Sequence, residues 1–270
     1  MRFHLLMIVL SQSLLVQSLR PLASSLRTSS HLSSMASPEN VGQGDIGQST
    51  TTSTPLPKDL SWRQLLQISS DTSRSIKGSN YVQLATVDPT TQTPRNRCCV
   101  FRGFQTLPDQ HPLAHTYYDN QPCLMRMTTD DRSGKVSQAQ TVAEMVWWFP
   151  HSNEQYRLRG PLLFVGGQGS YPYDDDEFLQ QARLDQWEAQ TDAARESFLR
   201  RDMPGSPWTP RDYEIPAGGR DAEGNIVPPP DAFLLMYLQP QYVDYLRLTD
   251  LYRQVDEFKD NKWSREVVNY

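Results

Sequence analysis

From Tyr81 onward the chain divides into short strand-like segments bounded by turn residues, and this constrains the fold more than any other feature. YVQLATVD (81–88) alternates apolar and polar side chains, and RNRCCVFRGF (95–104) returns as its hairpin partner after the turn PTTQTP. CLMRMTTD (123–130) is a third strand. VAEMVWWFP (142–150) and QYRLRGPLLFVG (155–166) make a second pair around HSNE, and three more strands are expected over 232–240, 251–258 and 262–270. Strands separated only by short helices predict a mainly β fold with flanking helices, an antiparallel barrel rather than a doubly wound α/β sheet.

Two helices stand out. SWRQLLQIS has Ser61 as N-cap, with Trp62, Leu65 and Leu66 on one face. The stretch 175–201 places Phe178, Leu179, Ala182, Trp187, Ala194, Phe198 and Leu199 at apolar positions and stops at Pro204 and Gly205. Packing is the default role for Trp187 there, and a surface ion pair for Arg195. The Pro- and Gly-rich stretch 203–230 has no periodicity and fits an active-site cover or an insertion.

The length of 270 residues supports one domain with appendages. Residues 1–37 contain no Asp or Glu, carry Arg2, Arg20 and Arg27, and turn Ser-rich after an apolar run from Leu5 to Val16. Such a segment is a targeting leader, either organellar (plastid or mitochondrion) or secretory with an end near Ser18 to Ala23. Residues 38–57 form a disordered linker by composition, leaving 58–270 as the folded domain. A net charge of -5 gives no global basic field, so neither nucleic acid nor a membrane surface is an expected partner. Cys98, Cys99 and Cys123 are too few and too irregular for a disulfide framework, and the histidines add no metal-ligand spacing.

The chemistry concentrates in TTDDRSGK (128–135), where a strand ends and a helix begins. Backbone N–H groups at a helix start favour an anion. Ser133 can donate a hydrogen bond, Lys135 supplies a compact charge and Arg132 can grip phosphate oxygens with two parallel bonds. The ligand implied is a phosphomonoester; the alternative for each residue is a solvated loop position. Of Trp147, Trp148 and Phe149, alternation suggests one core residue, one interface residue and another core residue.

Four stretches in series resemble the pyridoxamine 5′-phosphate oxidase-like FMN-binding family: RNRCCVFRGF its arginine-bearing strand, TTDDRSGK its phosphate loop, WWFPHSNEQYRLRG its Phe-Pro…Gln hairpin and LYRQVDEFKDNKW its terminal strand pair. The resemblance spans about residues 60–270 and implies a split β-barrel that binds FMN at a homodimer interface. Position by position it assigns Arg97 and Arg102 to the first flavin-contacting strand, Thr129, Ser133 and Lys135 to the phosphate, Gln155 to the flavin ring across the interface, and Arg253 to the late arginine. Arg132 has no counterpart there and rests on local chemistry. Residues 97 and 102 are five apart, so plain alternation sends them to opposite faces unless a bulge intervenes.

The departures bear on function. The oxidases proper carry an Arg-x-His pair before the late arginine, where this chain has Thr249 and Leu251, and a tryptophan upstream, where it has Val243. The flavin half of the site is matched and the vitamin B6 half is not. The implied activity is an FMN-dependent oxidoreductase acting on a small-molecule substrate or electron donor. Alternatives are a genuine pyridoxamine/pyridoxine phosphate oxidase with substituted contacts, and a non-catalytic module for FMN or haem. No catalytic residue is singled out, because the flavin would carry the chemistry.

Overall fold

A computed structural model describes residues 57–139 and 142–270. The expected leader and all but the last residue of the expected linker lie outside the described residues. Helix α1 (Trp62–Thr72) begins with Ser61 as its N-cap, as foreseen, and completes it as a capping box: the Ser61 Oγ accepts from the Gln64 amide while the Gln64 Oε1 accepts from the Ser61 amide. Trp62, Leu65 and Leu66 are fully buried against the barrel. Farther along α1, Ser69 Oγ lies 2.8 Å from the buried Glu154 carboxylate, which also accepts from Tyr245 and Ser152. These hydroxyl donors satisfy a charge that would otherwise be costly to bury.

Ten strands are described: β1 (Tyr81–Val87), β2 (Pro94–Val100), β3 (Met125–Asp130), β4 (Ala143–Phe149), β5 (Glu154–Gly160), β6 (Leu162–Val165), β7 (Phe233–Leu238), β8 (Tyr242–Arg247), β9 (Tyr252–Lys259) and β10 (Lys262–Val268). All pair antiparallel, in a seven-stranded sheet ordered β10-β9-β8-β5-β4-β1-β2 and a three-stranded sheet ordered β3-β7-β6. The main core contains Met125, Met127, Leu234 and Met236 from the small sheet with Leu84, Met145, Trp147, Tyr156 and Leu158 from the large one. The other face of β7 buries Leu235 and Tyr237 with Leu179 and Ala182. Burial on both faces explains why β7 is a continuous apolar run, FLLMYL, without alternation.

Three expectations are corrected. The single strand 155–166 is two: the chain leaves the large sheet at Gly160, passes Pro161 and enters the small sheet as β6. A Cβ at residue 160 would lie 1.8 Å from the Gln239 carbonyl oxygen, so only glycine permits that crossing. The strand β8 was not anticipated. The helix 175–201 is broken into α3 (Glu177–Glu188), capped by Asp176, and α4 (Asp192–Phe198), capped by Thr191. Trp187 is core as expected, but Phe178 is 41% exposed, and Arg195 is buried rather than superficial. Its Nε donates to the Gly218 carbonyl and its guanidinium also meets Asp192, tying α4 to the following loop.

Candidate functional site

The loop after β3 gathers three of the anticipated residues. Lys135 sits in α2 (Gly134–Ser137), a single turn that follows Ser133, and its Nζ donates to Thr129 Oγ1 at 2.9 Å and Ser133 Oγ at 2.7 Å. One turn of helix adds little macrodipole, so the anion chemistry rests on side chains. Arg97 approaches from β2, in the other sheet. It donates to Thr86 Oγ1 at 2.6 Å, Gln138 Oε1 at 2.7 Å and the Leu84 carbonyl. Among the described residues no carboxylate lies within 4.0 Å of Lys135 or Arg97. Burial depresses the pKa of Lys135, and the Arg97 charge pushes the same way. Burial likewise depresses Arg97. Two half-buried cations with no carboxylate in contact among the described residues make a position that an anion would relieve.

The remaining anticipated residues are placed elsewhere. Arg132 does not offer its fork outward: Nε and Nη2 both donate to the Asp130 carboxylate, at 2.9 and 2.6 Å. That ion pair raises its pKa, and the expected two-bond phosphate grip is spent on Asp130. Arg102 lies beyond the end of β2 and donates to Gln190, which donates in turn to Thr128. Thr128 leaves β3 on the face opposite Thr129. Five residues of separation therefore put Arg97 and Arg102 in different surroundings. Gln155 and Arg253 do share a surface. The register Trp148↔Gln155↔Leu246↔Arg253 sets these four in one row on the outer face of the large sheet, with Trp148 38% exposed between buried Trp147 and Phe149. Arg253 is held there by the Asp244 carboxylate at 2.9 and 2.8 Å.

Sequence reasoning overlooked Thr86 and Gln138. The signal for Thr86 was a hydroxyl residue at an inward position of an alternating strand, in line with Val82 and Leu84. Gln138, after a one-turn helix, carries none. On the Arg132 side a cavity of about 1120 Å³ opens beneath the first half of the 203–230 stretch, lined among others by Arg132, Arg200, Trp208, Arg211 and Tyr213.

A family model for the pyridoxamine 5′-phosphate oxidase FMN-binding domain matches residues 59–166. The crystal structure of a pyridoxamine 5′-phosphate oxidase-related, FMN-binding protein from Nostoc punctiforme is 31% identical, covering 78% of this chain and 99% of that one, with a TM-score of 0.61. The chain belongs to this family. Its fold is the split β-barrel, and FMN is the cofactor of the family. A plant protein, pyridoxine/pyridoxamine 5′-phosphate oxidase 2 of Arabidopsis thaliana, is 29% identical over 69% of this chain and 83% of its own length. PhzG from Burkholderia lata, solved with tetrahydrophenazine-1-carboxylic acid, shares the fold at 13% identity and a TM-score of 0.54, covering 77% and 90%. The residues present fit a flavin mononucleotide phosphate: a lysine, an arginine and two hydroxyls converge where no carboxylate competes. Within the family frame, Val243 is a buried core residue. Thr249 and Leu251 stand exposed in the turn between β8 and β9, with Leu251 at φ 54°.

Proposed function

We propose that this protein is an FMN-dependent oxidoreductase, working as a homodimer with the flavin at the subunit interface. The observation that carries this reading is the pair Arg97 and Lys135, brought from two sheets to one place with no carboxylate in contact with either among the described residues. FMN supplies the hydride or electron chemistry when bound. Lys135, Ser133, Thr129 and Arg97 hold its phosphate, and the outer row of Trp148, Gln155, Leu246 and Arg253 supplies the surface for a second copy. Arg102, held apart from that group, is assigned to the cofactor by the resemblance alone.

A purified and desalted full chain is expected to carry the flavin absorption bands or to take them up from added FMN. A preparation that stays colourless after reconstitution would sink the reading. Substrate class is read from which donor bleaches the flavin. Identity to the plant oxidase supports pyridoxine 5′-phosphate as that donor, whereas Thr249 and Leu251 in place of the Arg-x-His pair support a different one, such as a nicotinamide. A flavin that neither reduces would leave a binding module. Residues 1–37 are assigned as a cleaved organellar leader, so N-terminal sequencing of the chain isolated from its own cells should find it starting beyond residue 37.

A further inference from the structure

The cradle poses a physical problem that its two cations do not solve by themselves. Lys135 belongs to the loop that leaves the three-stranded sheet, while Arg97 belongs to an outer strand of the seven-stranded sheet. Like charges repel, and among the described residues neither side chain has a carboxylate within 4.0 Å to hold it. A guanidinium in that situation would swing toward solvent unless something fixed it.

A closed ring of hydrogen bonds fixes it. Arg97 Nη1 donates to Thr86 Oγ1 at 2.6 Å, Thr86 Oγ1 donates to Gln138 Oε1 at 2.8 Å, and Arg97 Nη2 donates to the same Gln138 Oε1 at 2.7 Å. Thr86 is on β1, Arg97 on β2, and Gln138 closes α2 three residues after Lys135. The ring thus clamps the Lys135 turn to the sheet that carries Arg97. Every acceptor in it is neutral, including the Leu84 carbonyl that also receives Arg97. A glutamate at 138 would reach as far and hold Arg97 more tightly, but it would cancel the charge.

We infer that Gln138, together with Thr86, is a positioning residue of the phosphate cradle, which sets Arg97 beside Lys135 through neutral acceptors and so keeps both charges available to a phosphate dianion. The inference rests on the proposed FMN site and deepens it. Gln138 acts on the phosphate through Arg97 rather than by direct contact.

The test compares FMN with riboflavin, which has the same ring system and no phosphate, by quenching of flavin fluorescence on the full-length apoprotein. The wild type should prefer FMN. Gln138→Glu should weaken FMN at least about tenfold, as expected for losing one charge-assisted contact, with riboflavin affinity kept within about twofold. Gln138→Ala and Thr86→Val should each reduce the preference, and the double variant should lose little more than either, since each opens the same ring. An unchanged FMN-to-riboflavin ratio in Gln138→Glu overturns the inference, as does an equal loss for both ligands, which would mean a merely structural role. A wild type that binds both equally overturns the cradle itself, an outcome distinct from failure of the ring.

Discussion

Replacing Ser133 and Lys135 together by alanine is expected to weaken FMN binding by about 3–6 kcal/mol, roughly two to four orders of magnitude, because each removes a charge-assisted contact of about 1.5–3 kcal/mol. Lys135 carries the larger part. It donates to both Thr129 and Ser133, so its loss also leaves those hydroxyls without the group that orients them, and the coupled pair should lose an amount toward the lower end of that range. Arg132→Ala should cost less than Lys135→Ala, since the Arg132 fork is already committed to Asp130. Titration of the apoproteins with FMN checks both statements. If the double variant binds within a few-fold of wild type, the phosphate is held elsewhere.

That ranking could not have been read from TTDDRSGK alone. The sequence places Arg132, Ser133 and Lys135 within four residues and makes them look equivalent, yet Asp130, two residues before Arg132, captures its guanidinium, while Lys135 meets only the neutral hydroxyls of Thr129 and Ser133. Local spacing pointed to an anion site; which cation keeps its charge out of an ion pair depended on where the carboxylates turned. Arg97 shows the same limit at longer range. Its strand was legible as the hairpin partner of YVQLATVD, and its approach to Lys135 was implied by the family resemblance, but the clamp through Gln138 joins residues 41 positions apart.

The fold was legible where one physical pattern dominated. The Ser61 N-cap and the first hairpin obey local rules and appear as expected. Strand β8 was missed because Tyr242, Asp244 and Leu246 face outward while Val243, Tyr245 and Arg247 face in. With an aspartate and an arginine inside YVDYLR, neither face is cleanly apolar. The continuous helix over 175–201 failed for the converse reason. Apolar residues recur across the whole stretch, but Thr191 caps a new helix, and α3 buries Arg183 and Gln186 while leaving Phe178 exposed. Tertiary hydrogen bonds offset the burial of Arg183: its Nε donates to the Phe233 carbonyl at 2.9 Å and its Nη2 to the Pro230 carbonyl.

Asp256 makes the second large prediction, one of stability against pH. Its side chain is fully buried on β9, where it accepts from Tyr118 Oη at 2.9 Å and Gln254 Nε2 at 2.7 Å. Burial raises its pKa from 3.8 to about 6; the bonds from Gln254 and Tyr118 and the charge of Arg265 pull it back only in part. A folded-state pKa above the unfolded value means that the native protein holds this proton more tightly than the unfolded chain does. The resulting stabilisation is complete below the unfolded pKa and is lost as pH rises through about 6. Two pKa units correspond to about 3 kcal/mol, a large share of the roughly 5–15 kcal/mol that holds a domain folded. Exposed carboxylates with depressed pKa values, Asp71, Asp88 and Asp250 among them, act with opposite sign and at lower pH, below their usual range. Denaturant titrations of wild type and Asp256→Asn separate the two effects. The advantage of the wild type over the variant should shrink by about 2 kcal/mol between pH 4 and pH 7, because an asparagine stays neutral throughout. A difference that stays constant across that interval would show that Asp256 is charged in the native protein at pH 4, with the Tyr118 and Gln254 bonds outweighing its burial.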